Sequence, residues 1–298
     1  MDRRFKKALS ELKRIVFPNS NLNTAQNRII KYIANGREPW SVGYIDYKYS
    51  EIERVLKDSA IINSVETRSL PSRFGYKIDE RIVEYPWIFS RLSDTPALIL
   101  DAGSTFNFDF IVNHPVIKEK QLTIYTYFPE STCFFEKRIN YVYGDLREMY
   151  FKSLTFDEIV CQSTIEHIDM DNSIYGYKTK NTIGAKSYEY LRAVSEMIRV
   201  LKPGGKLLIT FPFGRYEYHG FFQQFDTEML QRILDYFEGK GKLSVVFFKY
   251  ERQGWRFADM SELFDSVSYN PHTGRGKLDD GAAHCRSVAC VEFIKADT

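Results

Sequence analysis

Two histidines stand where a base would be useful. His167 closes the run Phe156-Asp-Glu-Ile-Val-Cys-Gln162-Ser163-Thr164-Ile-Glu166-His167. His219 lies within Pro212-Phe-Gly-Arg215-Tyr-Glu-Tyr218-His219-Gly-Phe-Phe-Gln223-Gln224-Phe-Asp226. An imidazole titrates near neutrality and can take a proton from an attacking hydroxyl. Beside His219, the Tyr218 ring, the Gln223 and Gln224 amides and Arg215 suit a saccharide or another polyhydroxyl acceptor. The stretch from Tyr175 to Tyr188, with Lys178, Lys180 and Lys186, is expected to close over the same cleft. Each histidine also has a plainer reading: His167 as a structural residue, His219 as a hydrogen-bonding group within its loop. The acidic stretch Asp169-Met-Asp171-Asn172 offers the hard oxygen ligands that magnesium takes. It reads better as a solvated loop, and no metal is called for.

These residues need a frame to hold them. Ala97-Leu-Ile-Leu-Asp101-Ala102-Gly103-Ser104-Thr105 reads as a buried parallel strand meeting a tight turn. A glycine there lets the backbone approach a ligand at the strand's carboxyl end, where open α/β sheets bind their ligands. Further strands are expected at 121–127, 139–143, 157–162, 205–211, 243–250 and 286–294. Helical patterns alternate with them, as in a parallel sheet. A long helix is expected over 185–201, stopped by Pro203 and the following glycines. Another begins at Asp226, a capping residue followed by an acidic first turn. Asp145, after the third strand, could cap a following helix. Residues 80–92 look helical, with Pro86 as a kink or break. Upstream, helices are expected at 3–17, 24–34 and 50–58, with 36–75 otherwise irregular. Residues 1–78 therefore read as a helical extension or lid, and 79–298 as the principal domain.

The ordered set Asp101-Ala-Gly103-Ser, Tyr143-Gly-Asp145-Leu146, Ser163-Thr-Ile-Glu-His167 and Leu201-Lys-Pro-Gly-Gly205 resembles the class I S-adenosylmethionine-dependent methyltransferases over roughly residues 80–294. The resemblance implies a Rossmann-like doubly wound α/β sheet of seven strands, ordered 3-2-1-4-5-7-6 with strand 7 antiparallel. It implies S-adenosylmethionine as cofactor. Asp101, Ala102, Gly103 and Ser104 would wrap its methionine end, with Asn107 nearby. Asp145 and Leu146 would meet the adenine. Gln162, Ser163 and Thr164 would border both cofactor and acceptor. Two departures stand out. Ser104 and Thr105 replace the later glycines of the usual turn. The second strand ends Thr126-Tyr127-Phe-Pro-Glu130, without the acid that usually holds the ribose, so Thr126, Tyr127 or Glu130 would substitute. Tyr175, Arg215, Tyr218, Gln223 and Gln224 fall on the acceptor side. The strings Glu84-Tyr-Pro-Trp and Tyr218-His-Gly-Phe-Phe-Gln-Gln are similar to bacterial methyltransferases of surface-polysaccharide synthesis. A small-metabolite methyltransferase and a non-catalytic Rossmann-like binding or scaffold protein are the alternatives.

Composition narrows the rest. The 298 residues carry 41 basic and 39 acidic side chains, a net charge of +2. That balance gives no footprint for nucleic acid. The 15% aromatic share is high and leaves tyrosines for a ring-binding cleft. Cys133, Cys161, Cys285 and Cys290 match no zinc spacing and read as free thiols, which fits a cytoplasmic setting. The start of the chain lacks the apolar core of a signal peptide, and no apolar run is long enough to span a membrane. The helix at 3–17, with Phe5, Leu9, Leu12 and Val16 on one face among basic residues, could pack conventionally or touch a membrane surface or partner.

Overall fold

The structure, a computed structural model, describes residues 24–173 and 185–297. The expected helix at 3–17, Tyr175, Lys178 and Lys180 lie outside the described residues. The chain divides into two compact units, Met1–Glu51 and Ile52–Thr298.

In the first unit, α1 (Ala25–Ala34) starts where the Thr24 side chain accepts a hydrogen bond from the Asn27 amide. Tyr32 is buried beside Tyr44 and Tyr47, ring centroids 6.0 and 5.3 Å away. Arg28 grips Asp46 through Nε and Nη2 at 2.7 and 2.6 Å, the bidentate geometry of a guanidinium on a carboxylate. The helix α2 (Tyr44–Lys57) begins here. Together with α3 (Ser59–Glu66) it fills much of the stretch expected to be irregular, and it begins six residues earlier than the helix expected at 50–58. The Asp58 carboxylate accepts from the Ala60 and Ile61 amides and so starts α3 as a separate helix.

The second unit is built on one sheet. Its strands are β1 (Leu98–Ala102), β2 (Gln121–Thr126), β3 (Asn140–Tyr143), β4 (Phe156–Gln162), β5 (Leu201–Pro212), β8 (Gly241–Glu251), β9 (Gly254–Ala258) and β10 (Ser287–Lys295). A separate two-stranded ribbon joins β6 (Glu217–Tyr218) to β7 (Gln223–Gln224). The order is β3-β2-β1-β4-β5-β10-β8-β9. β1 to β5 pair in parallel, and β10 runs antiparallel between β5 and β8. All seven expected strands are present in the expected order. The correction is the eighth, β9, which returns as a hairpin beside β8.

Alternation along the buried strands sorts side chains to two faces. Leu100 of β1, Ile159 and Cys161 of β4, and Leu207, Ile209 and Phe211 of β5 join one buried core. The helices α7 (Tyr190–Val200) and α8 (Thr227–Phe237) pack into that core through Ala193, Val194, Met197, Met229, Leu230 and Ile233. Asp226 caps α8 by accepting from the Met229 amide at 3.1 Å. The short helices α5 (Asp109–Val112) and α6 (Pro115–Lys118) lie between β1 and β2. On the opposite face, α4 (Arg81–Phe89) brings Glu84 to Gln162 of β4 and Thr210 of β5. Pro86 sits inside α4, and the helix runs on to Phe89 without breaking.

Two boundaries differ from expectation. α7 starts at Tyr190, five residues after the expected start, and gives way to strand directly at Leu201. Pro203 and Gly204 thus belong to β5. They form a bulge, since Leu201 pairs with Phe156 and the next pair is Lys206 with Glu158. Among the described residues, no helix is long and apolar enough to cross a membrane.

Candidate active site

The order 3-2-1-4-5 reverses direction at β1, so the carboxyl ends of β1 and β4 form the crevice where such sheets bind ligands. The turn after β1 is held from within. Asp101 is fully buried, and its carboxylate accepts from the Thr105 amide and hydroxyl at 3.2 and 3.1 Å and from the Phe106 amide at 2.7 Å. Burial pushes its pKa up to about 7, against the pull of those hydrogen bonds. Gly103 has φ +139, and a Cβ there would sit 2.0 Å from Thr164 Oγ1. The glycine is needed because the loop after β4 crosses this close. Ser104 also takes a positive φ of 63°.

Two polar atoms at this crossing are left over. Among the described residues, Ser104 Oγ and Gln162 Oε1 are buried without a hydrogen-bond partner. A buried unpaired acceptor is costly. A ligand bearing N–H or O–H donors, as the methionine end of S-adenosylmethionine does, would satisfy both. The residues present therefore fit that group.

Around the rim the expected residues occupy mixed positions. Asn107 donates to Glu130 Oε2 at 2.6 Å and to the Thr132 carbonyl at 2.8 Å, and accepts from the Tyr141 hydroxyl. The turn after β1 and the loop after β2 are thereby tied together through Glu130, while Tyr127 is exposed. Thr126 is the last residue of β2, and its carbonyl accepts from the Gly144 amide. Asp145 is bound by Arg147, whose amide and guanidinium donate to it at 2.7 to 3.0 Å. No helix lies between Asp145 and β4, so Asp145 closes a turn and caps no helix. Leu146 beside it is buried, as is Ala102.

Beyond β4 the polar groups become dense. Glu84 has no exposed surface and accepts four hydrogen bonds. Ser163 and Thr210 hydroxyls reach Oε1 at 2.5 and 2.6 Å, while Arg81 and Gln162 reach Oε2 at 2.8 and 3.2 Å. Ser163 itself is held at φ 39°, and its amide donates to the Thr210 carbonyl at 2.9 Å. Glu166 is buried, and burial raises its pKa well above the usual carboxylate range. His167 lies 3.9 Å from Glu166 through Nε2, while its Nδ1 is 2.7 Å from the Phe221 carbonyl. A carbonyl can only accept, so Nδ1 carries the proton. Burial lowers the His167 pKa to about 4 and keeps the ring neutral near pH 7.

His219 sits on a different support. Its Nε2 is 3.0 Å from Glu217 Oε2, its ring stacks on Phe222 at 4.4 Å, and its Nδ1 is buried without a partner among the described residues. The carboxylate fixes the tautomer with the proton on Nε2, leaving a lone pair on Nδ1. Burial lowers the ring's pKa, with Glu217 pulling in the other direction. Arg215 is largely exposed beside Glu217, 3.6 Å away. Tyr218 is half-buried in β6, and its carbonyl accepts from Arg275. Gln223 and Gln224 are buried and engaged within the fold. Gln223 exchanges two hydrogen bonds with the Ser187 backbone, and Gln224 donates to the Arg215 and Ser266 carbonyls at 2.7 Å each. Asp169 accepts from the Ser187 hydroxyl, and Lys186 pairs with Asp226.

Sequence reasoning did not place Glu84 or Thr210 here. Glu84 was legible in principle as the one acid inside an apolar helix, Ile82-Val-Glu84-Tyr-Pro-Trp-Ile-Phe89, where a buried charge requires partners.

The Methyltransferase domain family matches residues 126–209. No curated protein matches the chain. Among solved structures, an S-adenosylmethionine-dependent methyltransferase from Methanosarcina mazei is similar at 13% identity and TM-score 0.42, over 71% of this chain and 98% of that one. A second, from Thermotoga maritima, has 12% identity and TM-score 0.41 over 83% and 100% of the two chains. The 1,6-didemethyltoxoflavin-N1-methyltransferase of Burkholderia thailandensis has 12% identity and TM-score 0.40 over 94% and 93%. Likeness at this level says nothing of the acceptor. The matched segment runs from the end of β2 through β4 into β5, along the crevice just described. Residues 126–209 thus carry the pattern of a methyltransferase domain.

Proposed function

We propose that the enzyme methylates a hydroxyl of a polyhydroxyl acceptor, a saccharide or a polysaccharide precursor, with His219 as general base. The observation that carries this is the Glu217–His219 pair, in which an oriented imidazole keeps an unpaired, buried Nδ1. A carboxylate that holds one ring nitrogen readies the other to accept a proton and stabilises the imidazolium that forms. S-adenosylmethionine supplies the methyl group from its sulfonium. The acceptor oxygen forms the new O–CH3 bond as the S–CH3 bond breaks, and its proton passes to His219 Nδ1. Holding the reactants in line contributes the greater part of the rate.

Gln162, Ser104 and the Asp101–Gly103 turn hold the cofactor in this reading, with Asn107, Thr126, Asp145, Leu146, Ser163 and Thr164 around it. Arg215 and Tyr218 border the acceptor. Gln223 and Gln224 shape the loop that carries His219. His167 takes a supporting part, because its Nδ1 proton is already committed to Phe221 and its pKa of about 4 makes it a weak base. The enclosed His219 ring requires the Phe221–Phe222 segment to shift as the acceptor arrives. Residues 1–78 are an extension of this catalytic domain, and the enzyme works in the cytoplasm on precursors before export.

The test pairs two variants in an assay of S-adenosylhomocysteine release with sugar and sugar-phosphate acceptors. His219→Ala should lower turnover by roughly 10²-fold while cofactor affinity stays within about two-fold. The loss should shrink at high pH, where the acceptor ionises unaided. A normal His219→Ala enzyme with a crippled His167→Ala enzyme places the base on the other loop. Methylation of amines with no activity on any hydroxyl overturns the acceptor class.

A further inference from the structure

A second cluster of reactive side chains borders the acceptor side of the site, next to Phe222. Glu80, just before α4, meets His284 and Cys285, just before β10. His284 Nδ1 is 2.9 Å from Cys285 Sγ and 3.1 Å from Glu80 Oε1, and the three ligand atoms lie within 4.8 Å of one another. Among the described residues this is the one such grouping of three. Glu80 and Cys285 are buried, and His284 is partly buried.

The arrangement is not a nucleophile–base–acid relay. Such a relay uses opposite ring nitrogens for the nucleophile and for the carboxylate. Here the thiol and the carboxylate both face Nδ1. If Nδ1 carries a proton, that proton and the Cys285 S–H both turn to the Glu80 carboxylate. If it does not, its lone pair faces the carboxylate. Three Lewis-basic atoms thus converge on one point, and a cation satisfies all three at once.

We infer that Glu80, His284 and Cys285 form a three-ligand binding site for a zinc-class divalent cation. The donor set is one nitrogen, one sulfur and one oxygen, which suits zinc and excludes magnesium or calcium. Zinc bonds are about 2.0–2.3 Å, so tetrahedral ligands stand roughly 3.5 Å apart. The present separations need only a small opening. The supporting contacts are already in place. The Cys285 amide donates to Glu80 Oε2 at 3.3 Å, which leaves Oε1 turned toward the histidine. The His284 carbonyl accepts from the Tyr269 amide at 2.9 Å. Partners of this kind orient ligands in metal sites. Three protein ligands leave a fourth position open, as in catalytic zinc sites. The His284 ring is 5.1 Å from Phe222, the ring on which His219 stacks. The inference stands independently of the identity of the acceptor.

The test uses the full chain, stripped with a chelator and titrated with cobalt(II) as a spectroscopic stand-in for zinc. The expected result is one cobalt per chain and a near-ultraviolet sulfur-to-cobalt charge-transfer band. Cys285→Ser should abolish the band. His284→Gln should weaken affinity by more than the 10- to 100-fold that loss of a supporting partner costs. Thermal melting of the metal-free variants checks that each is folded. A folded parent that binds no cobalt stoichiometrically, or binds it without the sulfur band, overturns the site. So does a Cys285→Ser protein that keeps the band. The parent protein decides the matter even if a variant fails to fold.

Discussion

Asp145 shows how one side chain can serve two masters. Arg147 holds it in the free protein with two contacts to each carboxylate oxygen, so another donor must displace or share one of them. The pair is about a quarter exposed on each side, and pairs of that kind contribute about 1 kcal/mol or less. Asp145→Ala is therefore expected to lower unfolding free energy by no more than that. Cofactor affinity should fall about ten- to hundred-fold, because an adenine amino group would lose its acceptor at roughly 1–3 kcal/mol. Denaturant unfolding and calorimetry on the same variant read both. Unchanged affinity would reduce Asp145 to a turn residue. His167 offers a pH signature. The unfolded imidazole takes up its proton near 6.5, whereas the folded one stays neutral down to about 4. Between those values the unfolded state binds more protons, so stability falls as pH falls through that window. His167→Gln should flatten the fall in urea midpoints over that range. An identical pH slope in the variant would show that the ring is not the group responsible.

At the scale of elements, the loops after β1 and β4 are locked to each other and to α4. Gly103→Ala places a methyl group where Thr164 already lies and forces a left-handed φ on it. Such a residue costs of order 1–3 kcal/mol before any ligand is considered, so a drop in melting temperature should accompany any loss of binding. Glu84 is the other lock. Removing one partner from a buried charge network costs about 3–5 kcal/mol. Glu84→Ala should show that loss in urea unfolding, and Glu84→Gln should show clearly less. Equal stability of Glu84→Ala and parent would mean that the four donors around Glu84 find other partners. Glu84 was legible as an acid that needs buried partners, but the partners of neither lock were readable from local sequence. Glu84 and Thr210 are 126 positions apart, and their meeting is a product of the α4–sheet packing. The strands were readable, because buried parallel strands are short apolar runs with clear ends. The helix limits were less so. Asp58 divides two helices where polarity suggested a loop, and the Pro203-Gly-Gly205 stretch reads as a helix stop yet lies within a bulged strand.

Over the whole molecule, the chain's motif order specified the sheet order and the cofactor, and the hairpin strand β9 was the addition. The acceptor side was less legible. Its polar groups come from β4, the β6–β7 ribbon and the start of β10, and the sequence reveals their types without showing which are used internally. Gln223 and Gln224 looked like acceptor ligands and are engaged with backbone instead. The Glu80–His284–Cys285 cluster joins residues more than two hundred positions apart, beyond the reach of any spacing rule.

The central claim is that the crossing of the β1 and β4 loops holds S-adenosylmethionine while His219 serves only the acceptor. Calorimetric titration of the full chain with S-adenosylhomocysteine tests it most directly. One site per chain is expected, about ten-fold or more weaker in Gln162→Leu, whose lost acceptor is worth roughly 1–3 kcal/mol. His219→Ala should bind as the parent does. No binding by the parent, or binding that Gln162→Leu leaves intact and His219→Ala destroys, would contradict it.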